Sequence, residues 1–228
     1  MAYIPSGPEE ERFLKEYDPA KYRNPAVAAD TALFAVDEEG LSVLLIRRGN
    51  YPYKGRWALP GGFIEIEEDI FASAARELME ETGLTSPYIE QVFVWGKPDR
   101  DPRYRIITVS YAGLVDRAQV RAHAGDDASE ADWFRLSGYE SAQENGMIVI
   151  RYTLSGCETL RPVVTYPKGQ IQKIAPVDSG GLAFDHAESI AYSLEYVRRR
   201  AREGLLELSF GDDERLKALA SKALKLEL

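Results

Sequence analysis

Residues 62–84 read G-F-I-E-I-E-E-D-I-F-A-S-A-A-R-E-L-M-E-E-T-G-L, and their acidic residues are spaced to hold a divalent cation. On a helix, separations of three and four return to the same side, so Glu77, Glu80 and Glu81 share one face. Carboxylates that close repel one another by roughly 0.2–0.5 kcal/mol per pair on an isolated helix. An exposed charged face or a bound cation relieves that repulsion. Oxygen-only donors suit hard ions such as Mg²⁺ or Mn²⁺, which keep several waters and recruit substrate phosphates. Ala72, Ala75, Leu78 and Met79 are expected to form the buried side of this helix, and Gly83 its left-handed C-cap. An ordinary amphipathic surface helix accounts for the apolar side and the glycine. It does not account for three glutamates converging beside Arg76, nor for the L-P-G-G turn at 59–62 that leads into them.

Position by position, the same run resembles the signature of the Nudix hydrolases: Gly62, Glu68, Arg76, Glu77, Leu78, Glu80, Glu81, Gly83 and Leu84 match it, and no fixed position departs. The resemblance implies an α/β fold, an α/β/α sandwich around a mixed sheet, and a hydrolase acting on phosphoanhydrides with Mg²⁺ or Mn²⁺. It implies Glu77, Glu80 and Glu81 as metal ligands, joined by the backbone carbonyl of Gly61 or Gly62. Arg76 is expected to pair with Glu68 or Glu80 and so to hold the ligand rotamers.

Composition sets the limits. At 228 residues with 45% hydrophobic side chains, the chain can bury a sizeable core. Its net charge of −9 argues against unaided binding of polyanions, so no specific nucleic-acid partner is expected and a phosphate-bearing substrate needs metal ions and local Arg or Lys. The lone cysteine, Cys157, excludes an intramolecular disulfide and is expected as a small buried hydrophobe. No basic start precedes an apolar stretch, and no run approaches the ~18 apolar residues of a membrane span, so a cytoplasmic location and no membrane partner are expected.

The apolar runs at 26–36 and 41–48 flank D-E-E-G and read as a β-hairpin, followed by a loop at 49–60. Further strands are expected at 88–95, 105–115 and 131–136, after a polar lead-in with a short helix near 9–17. A β-rich insertion is expected at about 140–181, from the runs M-I-V-I-R-Y-T-L, R-P-V-V-T-Y and G-Q-I-Q-K-I. Helices are expected from about 185 to 203, where Ile190, Ala191, Leu194, Val197 and Ala201 form a stripe, and from about 212 to 226. The whole is expected as a single domain, 1–228.

Beyond the metal-binding run, the chain resembles the nucleoside diphosphate-sugar pyrophosphatases typified by ADP-ribose hydrolysis, and their transcription-factor relatives. The resembling pieces are R-W-A-L-P-G-G-F at 56–63, K-P-D-R-D-P-R at 97–103, A-G-D-D-A at 124–128, D-W-F-R-L at 132–136 and L-A-F-D-H-A at 182–187. The resemblance implies a small-molecule nucleotide partner, ADP-ribose first, cleaved to AMP and ribose 5-phosphate. A homodimer is kept open as the assembly.

Cleavage of a pyrophosphate bridge by water consists mostly of positioning, neutralising phosphoryl oxygens and activating the water. The general base is expected either in the glutamate cluster or among Asp127 and Glu130 on the loop before Trp133, where Asp126 competes as a turn residue. Arg100, Arg103 and Arg105 are expected to grip phosphate, Arg56 to contact the substrate, and Tyr51, Tyr53 or Trp57 to stack on a base. His186, at a helix start, is expected to cap or pack, and His123 to lie in a loop.

Two other readings stand beside this one. A nucleotide-sanitising triphosphatase would use the same glutamates. A ligand-sensing regulator would need a DNA-binding module such as a winged helix, for which the residues after Gly204 are expected to be too few. The basic run Arg198-Arg199-Arg200 with Arg202 is expected as the solvated, dipole-favoured end of a helix.

Overall fold

The D-E-E-G tetrapeptide closes the first hairpin through its own side chain: Asp37 accepts hydrogen bonds from the N–H groups of Glu39 and Gly40 at 2.9 and 3.1 Å. Gly40 supplies a positive φ of 126° there. In the computed structural model, which describes residues 3–84, 88–120, 128–205 and 213–224, this hairpin consists of β1 (Ala26–Asp37) and β2 (Gly40–Arg48). Two short strands follow, β3 (Trp57–Ala58) and β4 (Gly61–Phe63), then helix α2 (Ile70–Thr82), preceded in the chain by α1 (Pro8–Glu16). Strands β5 (Ile89–Trp95), β6 (Ile106–Asp116), β7 (Ala128–Glu144), β8 (Met147–Ser155), β9 (Thr159–Leu160), β10 (Val163–Pro167) and β11 (Ala175–Asp178) complete the sheet, and α3 (His186–Arg202) and α4 (Glu214–Leu224) close the described chain.

The strands form one mixed sheet in the order β11-β10-β8-β7-β2-β1-β6-β5, with β1 parallel to β6 and the other described pairs antiparallel. One face packs Leu33, Ala35 and Leu44 against Ala74 and Leu78 of α2. The other packs Phe34, Val43 and Leu45 against Ile190, Leu194 and Val197 of α3 and Ala220 and Leu224 of α4. The result is the expected α/β/α sandwich. Among the described residues no helix is long and apolar enough to cross a membrane.

One departure from regular pairing makes the site. β1 and β2 pair at the turn end, from Phe34 opposite Val43 to Asp37 opposite Gly40. Nearer the other end β1 pairs with β4 and β2 with β3, so the two strands part and the L-P-G-G turn fills the gap.

Several expectations need correction. β7 runs from residue 128 rather than 131 and is bent by a register shift between Leu136 and Gly138. The β-rich segment at 140–181 supplies β8, β9, β10 and β11, of which β8, β10 and β11 extend the same sheet beyond β7. G-Q-I-Q-K-I is no strand, because Ile171–Lys173 wind into a single 3₁₀ turn. The buried side of α2 is Ser73, Ala74, Leu78 and Glu81, whereas Ala72 and Met79 are exposed. Cys157 is exposed, in the turn after β8, where its N–H donates to Asp132.

Candidate active site

Helix α2 starts on Asp69, whose carboxylate accepts from Phe71 N–H at 2.9 Å, and ends on Gly83 at φ 71°. Between these caps, Ala74, Leu78 and Glu81 follow the four-and-three spacing of one stripe laid against the sheet. Glu81 is therefore buried at 6% exposure, and its Oε2 accepts from the N–H of Gly61 at 3.1 Å. Burial, reinforced by the charges of Glu77 and Asp30, pushes its carboxyl up to about 9.

Arg76 organises the rest. Its guanidinium donates to both oxygens of Glu68 at 2.9 and 3.0 Å, to Glu77 Oε1 at 2.9 Å and to Glu80 Oε2 at 3.2 Å. These bonds hold Glu68 below the usual carboxylate range, while burial outweighs them at Glu77 and raises it. Gly62 lies directly against this group: a Cβ there would stand 2.3 Å from Glu77 Oε1. Among the described residues, no three His, Cys, Asp or Glu side chains stand in ion-holding geometry as they are. The donor set nevertheless suits a hard cation, because Glu77, Glu80 and Glu81 offer oxygen only and Glu81 is buried beside the like charges of Glu77, Asp30 and Glu80.

Glu77, Glu81, Gly61 and Gly62 line a cleft of about 420 Å³. The same cleft is lined by Arg48, Arg100, Arg103 and Phe184. Phe184 adopts φ 48°, an unusual conformation for a bulky residue, with the guanidinium of Arg48 at 4.8 Å and that of Arg103 at 5.6 Å from its ring centre. Arg103 is also held by both oxygens of Asp101, at 3.0 and 2.8 Å. Deeper in the cleft, His186 Nδ1 accepts from Leu59 N–H at 2.7 Å, which places the ring proton on Nε2, 3.6 Å from Asp30 Oδ2. Burial lowers His186 to about 4 and raises Asp30 to about 7. The imidazole is thus neutral at physiological pH, a packing and bonding role as expected for a residue at this helix start.

The other expected site residues scatter. Arg100 lines the cleft but is committed: it grips both oxygens of Asp185 at 2.7 and 2.6 Å and Thr108 at 2.7 Å, with only 6% of its side chain exposed. Arg56 is exposed beside the Tyr53 ring, and Arg105 donates to Lys97 O at 3.2 Å; neither lines the cleft. Trp57 cannot be a stacking platform, being 1% exposed, packed edge-on to Phe134 and bonded through its indole N–H to Glu158. Glu130 pairs with Arg47 at 3.3 Å. Arg48 lines the cleft, whereas Arg47 and Glu130 do not. Asp127, Asp126 and His123 lie outside the described residues.

Sequence reasoning did not single out Arg48, Asp30 or Phe184. Asp30 carried a signal, a lone acid inside the apolar strand A-V-A-A-D-T-A-L-F.

A profile of the NUDIX domain matches residues 25–151, more than half of the chain. The chain belongs to the NUDIX family. Among curated relatives, the ADPR responsive transcriptional repressor NtrR of Acinetobacter baylyi is 47% identical over 109 residues, 47% of this chain and 44% of the repressor, so the chain spans less than half of that relative's length. An ADP-ribose pyrophosphatase of Methanocaldococcus jannaschii is 40% identical over 129 residues, 55% of this chain and 73% of that protein. Among solved structures, a MutT/nudix family protein from Enterococcus faecalis aligns with TM-score 0.65 at 30% identity, over 92% of this chain and 81% of its own. The NUDIX domain of Shewanella oneidensis NrtR complexed with ADP ribose aligns with TM-score 0.57 at 27% identity, over 82% of this chain and 98% of its own.

Proposed function

We propose that this NUDIX chain hydrolyses the phosphoanhydride of a nucleoside diphosphate linked to a second moiety, with ADP-ribose as the first choice, giving AMP and ribose 5-phosphate. The observation that carries the reading is the polarity of the cleft. Glu77 and Glu81 line it together with Arg48 and Arg103, and Arg76 gathers Glu77 with Glu80. Glu77, Glu80 and Glu81, with the carbonyl of Gly61, would hold Mg²⁺ or Mn²⁺, which when bound neutralises phosphoryl oxygens and lowers the pKa of water. The chain's own residues supply the positioning. Arg76 fixes the carboxylates, Arg48 and Arg103 offer donors to phosphate, and the Phe184 wall keeps both arginines beside the cleft. With Glu130 outside the cleft lining, the base is drawn from the box glutamates or from Asp127.

The similarity to the ADPR responsive repressor favours a second reading, in which the same cleft senses ADP-ribose without cleaving it. A panel of ADP-ribose, NADH, sugar nucleotides, dinucleoside polyphosphates and dNTPs with Mg²⁺, resolved by chromatography, separates these. Appearance of AMP and ribose 5-phosphate supports the hydrolase. ADP-ribose binding without products, together with sequence-selective duplex binding at physiological salt, supports the sensor. A triphosphate turned over at least about tenfold more efficiently than ADP-ribose replaces both with the sanitising reading.

A further inference from the structure

A second cavity, of about 410 Å³, adjoins the cleft and shares Arg100 and Phe184 with it. Its size falls in the range of small-ligand sites, roughly 300–1,000 Å³. One part of the lining is aromatic and apolar, with Tyr53, Phe93, Trp95, Ile174 and Phe184 contributing to its walls. Phe93 and Trp95 meet edge to face at 4.9 Å, and Tyr53 and Phe184 at 4.7 Å, so the rings are fixed by one another. The indole N–H of Trp95 is already spent on Ser110 Oγ at 2.7 Å. Tyr53 and Phe184 both hold positive φ, 60° and 48°, and Phe184 lines both spaces.

The polar side of the lining carries Lys97, Asp99, Arg100, Gln172 and Asp185, and one further group stands apart from these. Glu188, in the first turn of α3, contributes to the cavity wall, yet it is 4% exposed and its Oε2 has no hydrogen-bond partner among the described residues. A buried carboxyl oxygen left without a donor costs about 1–3 kcal/mol or more. The other buried side-chain atoms in that condition, Trp133 Nε1 and Ser193 Oγ, line neither cavity.

We propose that this second cavity seats the nucleobase of the substrate and that Glu188 reads the exocyclic amino group of adenine. The inference rests on the nucleoside diphosphate reading of the neighbouring cleft. A ligand whose phosphates lie between the glutamates and Arg103 carries its next ring system past Phe184 into an aromatic slot, which suits a base better than a sugar. Rotation of the Glu188 side chain presents Oε2 to an amino N–H. Hypoxanthine, otherwise matched in shape, puts a carbonyl oxygen at that place, lone pair against lone pair. Burial raises Glu188 to about 7, so the carboxylate that distinguishes the two bases is the form that prevails above neutrality.

The test compares AMP with IMP by calorimetry in Mg²⁺, on the wild-type chain and on Glu188→Gln and Glu188→Ala, alongside turnover of ADP-ribose. One hydrogen bond to a charged group is worth roughly a ten- to hundredfold difference in affinity, so wild type is expected to prefer AMP by at least that lower bound. Glu188→Gln, which keeps the size and offers an amide to the carbonyl of IMP, is expected to bring the two ligands within about threefold, and Glu188→Ala likewise. Equal affinities in wild type, or variants that weaken both ligands alike while keeping the ratio, overturn the proposal and leave Glu188 a structural residue. The two readings fail separately. Turnover with an unchanged ratio sinks the base pocket alone, and a collapsing ratio without turnover sinks the hydrolase alone.

Discussion

Substituting alanine at Gly62 tests the placement of the glutamates proposed as metal ligands more sharply than removing them. The added Cβ would stand 2.3 Å from Glu77 Oε1 and 2.6 Å from its Cδ. Ordinary contact begins near 3.4 Å, so the carboxylate must retreat by about 1 Å, that is, 3.4 − 2.3. The group that moves is the far end of a flexible side chain, and the 2.9 Å bond from Arg76 to Glu77 is what the movement disrupts. Backbone strain is not involved, since Gly62 has no positive φ. A misplacement of about 1 Å near reacting atoms costs on the order of a hundredfold in rate. Stability is expected to change by less than about 1 kcal/mol. Gly61→Ala gives the contrast: at φ 151°, its Cβ would meet the backbone oxygen of Ala29 at 2.3 Å, so that variant is expected to lose the fold around β4. Steady-state turnover of ADP-ribose, with urea unfolding of both variants, reads the two effects. Gly62→Ala retaining more than about a third of wild-type turnover, or Gly61→Ala as stable as Gly62→Ala, would refute the reasoning.

Glu80→Gln and Glu81→Gln are each expected to cut turnover by at least about tenfold with an unchanged circular dichroism spectrum; a folded variant above that level removes its residue from the ligand set. Arg100→Ala leaves the half-buried Asp185 without its bidentate partner and is expected to cost about 3 kcal/mol, read by urea unfolding, with a loss under about 1 kcal/mol counting against the pair. His186, lowered to about 4 in the folded chain, contributes stability that is present above about pH 6.5 and is lost as pH falls toward 4. The loss is at most about 3 kcal/mol. Asp30, raised to about 7, runs the other way, since acid favours its folded, protonated form. The readout is therefore the difference between wild type and His186→Gln at pH ~7.5 and ~4.5, and a difference independent of pH refutes the assignment.

What was legible in the sequence had short-range causes. The D-E-E-G turn carries its own hydrogen-bond acceptor in Asp37, and α2 carries Asp69 and Gly83 at its ends, so both read correctly from neighbours. The Arg76 pairs with Glu68 and Glu80 follow from helical spacing and a short lead-in. What was missed depends on distance along the chain. His186 bonds Leu59 across 127 residues, and Arg100 bonds Asp185 across 85, pairs that no local pattern announces. The rotation of α2 was misjudged because Ala72 and Met79 are as apolar as Ala74, and only the sheet decides which side is covered. Trp57 and Arg56 share a motif, yet strand pairing buries one and exposes the other.

The parting of β1 from β2 bears on how this chain tolerates changes of length. The loop after β2 is pinched at its neck by backbone bonds, Gly55 N–H to Arg48 O at 2.8 Å and Arg48 N–H to Arg56 O at 3.0 Å. Residues added at its tip, near Tyr51, enlarge a closed loop, for which each doubling costs only about 0.6 kcal/mol. The stretch from Gly61 to Arg76 has no such slack, because β4 is registered on Ala28 to Asp30 at one end and Glu68 is clasped by Arg76 at the other. A single residue gained or lost there slips the register and turns Gly61 and Gly62 to the wrong sides. Ligand preference can therefore drift through insertions at the rim while the spacing of the hydrolytic apparatus stays frozen.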